Sequence, residues 1–186
     1  GELGARGFGW CGNILPLDAA TAERNALLPQ IEAMVEALTR RFGLRGVNGV
    51  DVVVTQGDSG PTPYLVEVNP RYTASMELVE RAYGLNVFSL HLEALDGRLP
   101  DLSFADRLYS PEAYFGKGIV YARRTVTIPE TEGWDKRGRR DVPFPGERIE
   151  AGRPVCTVLA QGASRAECWE HLVARAEEVR WEIGDV

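Results

Sequence analysis

Two short apolar runs separated by turn-forming residues predict a β-hairpin in the first half of the chain. The run Gly49–Val54 is rich in β-branched valine, and Tyr64–Asn69 alternates apolar and polar side chains. Gly, Asp, Ser and Pro residues fill the loop between the two runs, and these residue types favour turns. We therefore predict strands over residues 47–55 and 63–69, paired antiparallel about a turn near Ser59.

Apolar side chains at three- and four-residue spacing predict helices on both sides of this hairpin. Asp18–Phe42 has an apolar stripe that we expect to face the core: Leu27, Leu28, Ile31, Val35, Leu38 and Phe42. Pro29 falls inside this pattern, so it either kinks the helix or begins a second one. Two shorter helices are predicted over Ala74–Tyr83 and Val87–Leu95, the second capped by Asn86.

The second half of the chain predicts extended segments followed by a long helix. Residues 118–128 predict one long strand, and Val155–Ala160 predicts a buried strand. Gly, Pro and charged residues dominate 130–154 and indicate loops with short extended pieces. Ser164 and Glu167 have the spacing of a capping box, which begins a helix with one apolar face: Trp169, Leu172, Ala176, Val179 and Ile183.

The end of the second hairpin strand places polar side chains on one face. Alternation puts Leu65, Glu67 and Asn69 on one face and Tyr64 on the other. Glu67 and Asn69 then lie about 6.6 Å apart along the strand. Pairing about the predicted turn puts Asp51 opposite Glu67. Facing carboxylates repel, so they need a cation, a shared proton or open solvent, and a solvated acidic face is as good an interpretation as a metal site.

Arg71 extends this polar group and indicates phosphate chemistry. Hard cations such as Mg²⁺ prefer carboxylate and carbonyl oxygens. A guanidinium next to them can clamp a phosphoryl or carboxylate group. The residue types of Glu67, Asn69 and Arg71 therefore suit a magnesium ion that accompanies a phosphate.

These segments resemble a known family. Residues 49–54 and 64–71 resemble the metal-binding hairpin of the ATP-grasp superfamily, which includes biotin carboxylase, carbamoyl-phosphate synthetase and D-alanine–D-alanine ligase. The Pro-Arg pair after Asn69 is closer to the carbamoyl-phosphate synthetase and carboxylase branch. We also interpret residues 8–16 as a strand and its exit. Three segments are similar to predicted ATP-dependent carboligases: residues 8–16, 46–51 and 69–78.

The resemblance implies an α+β fold in two parts. Residues 1–100 would form the C-terminal lobe of an ATP-grasp domain, mainly an antiparallel sheet with flanking helices. Residues 101–186 would add a C-terminal extension of strands and a final helix. In this family an earlier lobe supplies phosphate-binding lysines and a Gly-rich loop, whereas the lysines here are Lys117 and Lys136 alone. We therefore predict that an N-terminal ATP-grasp lobe is the missing partner and that the isolated chain is inactive.

The resemblance also implies roles for single residues. Asp51, Glu67 and Asn69 would bind Mg²⁺, with Mn²⁺ as the alternative ion, and would contact ATP through it. Val53 would touch the adenine of ATP, although a core valine is an equal interpretation. Arg71 would be the catalytic residue that contacts phosphate or an acyl-phosphate.

The implied activity is that of an ATP-dependent ligase. A carboxylate substrate would be activated as an acyl-phosphate with Mg-ATP and joined to an amine or similar nucleophile. Biotin carboxylase has a bicarbonate-activating glutamate four residues beyond the arginine, where this chain has Ser75, which weakens the case for bicarbonate. Ser75 is equally suited to cap a helix, or to bind a substrate carboxylate together with Thr73. The alternatives are a non-catalytic module that binds a ligand or a partner and, less favoured, a metal-dependent hydrolase.

Composition limits the binding partners and the cellular compartment that the sequence predicts. The net charge of −6 over 186 residues gives no basic surface for nucleic acid, and no apolar run is long enough to predict a membrane span. Three scattered cysteines fit reduced thiols in a cytoplasmic protein. We interpret His91 and His171 as structural. A role for Asn48 in the site and a homo-oligomeric state are left open.

Overall fold

The fold was obtained as a computed structural model that describes residues 2–7, 9–17, 21–58, 60–98 and 113–185. In chain order its elements are β1 (Gly12–Leu15), α1 (Thr21–Phe42), β2 (Gly49–Gly57), β3 (Gly60–Asn69), α2 (Met76–Tyr83), α3 (Val87–Leu95), β4 (Tyr114–Tyr121), β5 (Val126–Thr127), β6 (Arg139–Arg140), β7 (Arg148–Ile149), β8 (Pro154–Gly162) and α4 (Arg165–Glu182). Helices with antiparallel sheets confirm the predicted α+β class.

The chain divides into two compact units. The first, here called the sheet unit, contains Gly1–Pro16 and Ser110–Val186, and the second, the hairpin unit, contains Leu17–Tyr109. The division between domains at residue 100 stays a prediction. Phe8, the helix start at Asp18, the turn residue Ser59 and most of the linking segment lie outside the described residues. None of the helices in the described part of the chain is long and apolar enough to cross a membrane.

Helix α1 of the hairpin unit is continuous through Pro29, so no second helix begins there. It packs against β3, where Gln30 donates a side-chain hydrogen bond of 3.1 Å to the carbonyl of Pro61. Leu27 is buried, whereas Val35 and Phe42 are exposed. The prediction that the whole apolar stripe faces the core is wrong for its C-terminal end, because the two-stranded sheet offers a long helix too little surface to cover it.

The sheet unit is built on a four-stranded sheet in the order β1-β4-β8-β6, with every neighbouring pair antiparallel. Helix α4 packs on β4 and β8 and buries Leu172, Ala176 and Val179, as its apolar face predicts. Close packing requires Gly162, because a Cβ atom there would lie 2.5 Å from the backbone nitrogen of Cys168. The N-cap half of the predicted capping box is confirmed, since Ser164 Oγ accepts a 3.1 Å hydrogen bond from the N–H of Glu167. The Glu167 carboxylate accepts a hydrogen bond from the N–H of Ala163, one residue before the cap.

The long strand predicted over residues 118–128 is in fact two strands. β4 ends at Tyr121, and β5 pairs with β7 in a separate two-stranded sheet. The interruption has a physical cause in Asp185, whose carboxylate is buried. It accepts hydrogen bonds from the backbone N–H groups of Arg123 at 2.7 Å and Arg124 at 2.9 Å. These two N–H groups therefore bond to a residue 61 or 62 positions away and not to a neighbouring strand.

A partly buried group of ion pairs joins the end of α4 to β6 and to the residues just before it. Glu182 accepts hydrogen bonds from the guanidinium of Arg139 at 2.6 and 2.8 Å and from that of Arg137 at 3.0 and 3.2 Å. Arg139 is buried and its guanidinium lies 4.4 Å from the ring centroid of Trp134. The hydrogen bond from Arg139 lowers the pKa of Glu182 below its ordinary value, although burial opposes this shift.

Glu182→Gln is expected to make stability less dependent on pH in acid. A carboxyl group whose folded pKa is lowered stabilises the fold above its unfolded pKa, about 4.3. That contribution is lost as the pH falls through the lower folded value. Urea unfolding measured from pH 7 to about pH 2 should show a smaller loss of unfolding free energy for Glu182→Gln than for the wild type. Glu170→Gln, an exposed position on the same helix, should behave as the wild type, and identical pH profiles for all three proteins would contradict the prediction.

Candidate functional site

The hairpin places Asp51 directly opposite Glu67. β2 and β3 are antiparallel, and Gly49 pairs with Asn69, two residues along from the Asp51–Glu67 pair. Residues directly opposite each other in an antiparallel pair point to the same face, as do residues two apart on a strand. Asp51, Glu67 and Asn69 therefore share one face. Both carboxylates are exposed and Asn69 is half-buried.

A β-bulge changes the face of the residues before Glu67. The register shifts between Asp51 and Val52, so that Val52 pairs with Leu65 and Val53 pairs with Tyr64. The bulge adds one residue to β3 and reverses its alternation. Tyr64 therefore lies on the face of Glu67 and Leu65 on the opposite face, and the predicted assignment of these two side chains is wrong.

The bulge gives the carboxylate face an apolar section. Val53 and Tyr64 lie opposite each other next to the Asp51–Glu67 pair, and their side chains are 54% and 57% exposed. Val53 is therefore not the buried core valine that its residue type also suggested. An exposed apolar surface beside two carboxylates is suited to a ligand that has a flat apolar part and a metal-bound anionic part.

Arg71 folds back onto Asn69. The chain turns after β3 with a 2.7 Å hydrogen bond from the Arg71 N–H to the carbonyl of Asn69. The guanidinium Nη2 then donates to Asn69 Oδ1 at 3.1 Å, and Nη1 donates to the carbonyl of Tyr72 at 3.2 Å. The structure thus brings the predicted catalytic residue to a predicted metal ligand. An amide oxygen has two lone pairs, so Asn69 can accept this hydrogen bond and still bind a cation.

Two hydroxyl groups lie beside the first pair of the hairpin. Ser75 holds the N-cap position of α2, but its side chain makes no capping hydrogen bond. Its hydroxyl instead lies 2.9 Å from that of Thr73. Thr73 packs on Gly49, where a Cβ atom would lie 2.7 Å from Thr73 Cγ2. The side chain of Ser75 is therefore not used as a helix cap, and both hydroxyls belong to the surroundings of Asn69.

Sequence reasoning missed the residues that fix the exit of β3. Tyr72 forms a side-chain hydrogen bond with Glu80 of α2. Glu80 also accepts a 3.1 Å hydrogen bond from the N–H of Val87. Burial, reinforced by this hydrogen bond and by the charge of Glu80, raises the pKa of Tyr72 to about 12, so the phenol stays a donor. No spacing rule links these positions, and only their meeting in space reveals them.

The entry to β2 is fixed in a similar way by His91 of α3. Its Nδ1 accepts a 3.0 Å hydrogen bond from the N–H of Val47. Gly46 must be glycine here, because its φ is +70° and a Cβ atom would lie 2.5 Å from His91 Nδ1. Asn48 donates its amide N–H to the carbonyl of Gly46 at 2.9 Å, which gives Asn48 a role within the loop. His91 has the structural contact expected of it, and His171 likewise bonds to the carbonyl of Gln161 at 2.7 Å.

The donor set fits a magnesium ion that arrives with a nucleotide. Over the described residues, no three or more His, Cys, Asp or Glu side chains group closely enough to hold a metal ion. The hairpin offers two carboxylates and one amide oxygen. Mg²⁺ is commonly bound by one or two carboxylates together with water and substrate phosphates. The hairpin therefore suits Mg²⁺, or Mn²⁺, shared with phosphate better than a metal held by protein ligands alone.

Comparison with known proteins identifies a related domain family. Residues 2–75 match the family model of the ATP-grasp domain. The chain is 26% identical over 120 residues to an uncharacterized protein of Methanocaldococcus jannaschii, a match that covers 64% of this chain and 27% of the relative. The match of residues 2–75 to this model, together with the described α+β fold, confirms the resemblance to the ATP-grasp superfamily.

Solved structures share the fold over nearly the whole chain. The L-amino acid ligase from Bacillus licheniformis superimposes with a TM-score of 0.68 at 21% identity, covering 92% of this chain and 45% of the ligase. The phosphoribosylaminoimidazole carboxylase ATPase subunit from Aquifex aeolicus gives a TM-score of 0.57 at 17% identity, covering 95% of this chain and 49% of the subunit. The chain thus spans about a quarter of the archaeal relative and less than half of each of these enzymes.

Proposed function

We propose that the hairpin is the metal- and phosphate-binding half of an ATP site in a ligase. The observation that supports this most directly is the pairing of Asp51 with Glu67 on an exposed face. Two facing carboxylates repel in the absence of a cation. Four side chains of the hairpin unit form hydrogen bonds near the two strand ends next to this pair: Tyr72, Glu80, His91 and Asn48. A repulsive pair held on an anchored hairpin is expected where an ion is to be bound.

The roles of the residues follow from their positions. Glu67 would bridge two Mg²⁺ ions, Asp51 would hold the first and Asn69 the second. When bound, the ions would neutralise charge on the phosphate oxygens, which is the main requirement in phosphoryl transfer. Arg71 would turn from Asn69 to the transferred phosphoryl group, since a guanidinium matches the geometry of phosphate. Val53, together with Tyr64, would provide the apolar surface for the adenine.

The reaction that fits these groups has two steps. A carboxylate oxygen of the substrate attacks the γ-phosphorus of ATP, and the bond between this phosphorus and the bridging oxygen of the β-phosphate breaks. The products are ADP and an acyl-phosphate. An amine then attacks the acyl carbon, loses a proton and releases phosphate, which forms an amide. Thr73 and Ser75 have hydroxyl groups near Asn69 that would donate hydrogen bonds to the substrate carboxylate. With Ser75 in place of a glutamate, we infer an organic carboxylate and not bicarbonate as the substrate.

The rest of the ATP site would come from further protein. Phosphate-binding lysines and a loop over the phosphates are needed for turnover, and the matched enzymes are more than twice as long as the part this chain spans. We propose that an N-terminal ATP-grasp lobe provides them. The isolated chain would then bind the ion weakly and would not hydrolyse ATP.

Binding of Mn²⁺ to this chain tests the proposed ion site. An electron paramagnetic resonance titration should show saturable binding, tightened by ATP. Asp51→Asn and Glu67→Gln should each weaken binding at least about fivefold, which corresponds to about 1 kcal/mol, because each removes one charged oxygen ligand. Asp58→Asn removes an exposed carboxylate at the turn of the same hairpin and should leave binding unchanged. Equal affinities for all four proteins would reject the hairpin as an ion site.

A further inference from the structure

We propose that the sheet unit contains a second ligand site, a cleft that takes small organic cations with an apolar body. The cleft has a volume of about 410 Å³, within the range of about 300–1,000 Å³ of small-molecule sites. Its apolar lining comes from Ile119, Val142, Ile149 and Val155. All the lining residues belong to the sheet unit, so the site is independent of the function proposed for the hairpin.

Asp141 is the polar group that gives the cleft its chemistry. Its Oδ2 accepts a 2.6 Å hydrogen bond from Thr157 Oγ1, a length typical of a bond to a charged oxygen. Thr157 lies on β8 and is only 2% exposed. The backbone of Asp141 is left-handed, with φ of 53°, and it is the only residue other than glycine in the described chain with a positive φ. Backbone and side chain together therefore fix one carboxylate at the wall of an apolar cleft.

The two charged side chains that line the cleft are both carboxylates. Glu147 adds a second carboxylate to the lining and accepts a 3.2 Å hydrogen bond from the N–H of Phe144. Within the described ranges neither Asp141 nor Glu147 forms an ion pair with a lysine or arginine. Arg139, two residues before Asp141, is bound to Glu182 by two hydrogen bonds. The cleft therefore attracts a cation and repels an anion.

The ligand class follows from this combination. An ammonium group would donate hydrogen bonds to Asp141, and a short branched or ring-shaped apolar body would replace water against the aliphatic lining. Phe144 is 81% exposed at the edge of the cleft, where its ring would contact such a body. A neutral molecule of the same shape would gain the apolar contacts but no charge-assisted hydrogen bond to Asp141. A primary amine of about five carbon atoms is small enough to enter a cleft of this volume.

The test compares 3-methylbutylamine with 3-methylbutan-1-ol, its neutral counterpart of similar shape. Each is titrated into the ¹⁵N-labelled chain while amide chemical shifts are recorded. We expect saturable shifts over residues 141–147 and 154–157 with the amine, and affinity for the alcohol at least about tenfold lower, because a neutral hydroxyl lacks the positive charge that the ammonium group presents to Asp141. Equal affinities, shifts confined to other regions, or no saturation up to about 50 mM amine would overturn the proposal.

The variant Asp141→Asn tests whether Asp141 binds a ligand or only stabilises the turn. Asparagine has nearly the same shape and also tolerates positive φ, so the variant should fold. It should weaken amine binding about tenfold and alcohol binding much less, because only the amine has a charge that pairs with Asp141. An unchanged amine affinity would overturn the proposal. Phe144→Ala serves as a second variant, expected to weaken both ligands because it removes apolar contact. A Phe144→Ala protein that binds both ligands as the wild type does would show that they do not occupy this cleft.

Discussion

Glu67→Gln is expected to reduce ADP formation at least about hundredfold when the chain is joined to the preceding half of an ATP-grasp domain. The exchange keeps the shape of the side chain and removes the one charge that would bridge both ions. A loss of about 2.7 kcal/mol of transition-state stabilisation corresponds to this factor, and metal ions typically contribute several kcal/mol. The measurement is the rate of ADP release with Mg-ATP, a panel of organic carboxylates and an amine.

Asp58→Asn is the matched control for this measurement. It removes the same charge from the turn of the same hairpin, on an exposed residue at the far end from Asn69, and should change the rate less than about twofold. Equal rates for Glu67→Gln and the wild type would reject the proposed role of Glu67. An unmodified protein that forms no ADP with any substrate would favour a non-catalytic binding module.

Trp134→Ala is expected to lower the free energy of unfolding of the sheet unit by about 3–5 kcal/mol. Trp134 is completely buried, so its removal leaves a large cavity. It also removes the ring on which the guanidinium of the buried Arg139 lies. Urea unfolding followed by far-ultraviolet circular dichroism, extrapolated to zero denaturant, measures the loss.

Phe144→Ala is the control for aromatic truncation in the same segment. Because the ring is 81% exposed, its removal should cost no more than about 0.5 kcal/mol. Similar losses for Trp134→Ala and Phe144→Ala would show that the burial of Trp134 contributes little to stability.

The hairpin was the part of the fold that sequence patterns predicted best. Valine-rich strands with turn residues between them leave few other pairings, and a turn near Ser59 already implies that Asp51 faces Glu67. The bulge at Val66 was not predictable in this way. A bulge inserts a residue without changing the composition of the strand, so alternation alone assigned Tyr64 and Leu65 to the wrong faces.

The ends of strands depended on distant residues. Residues 118–128 have the composition of one strand, yet the buried carboxylate of Asp185 takes the N–H groups of Arg123 and Arg124 and ends the pairing. Periodicity describes neighbours along the chain and contains no information about a partner 61 residues away.

By itself, the sequence determined the residue types of the site, their order on the strand and their resemblance to the ATP-grasp superfamily, because these depend on local spacing. Only the tertiary structure decided that Val53 and Tyr64 lie exposed beside the carboxylates, that Arg71 rests on Asn69, and that Tyr72, Glu80 and His91 anchor the hairpin. Each of these contacts joins residues whose distance in space is set by packing, and packing is a property of the whole unit.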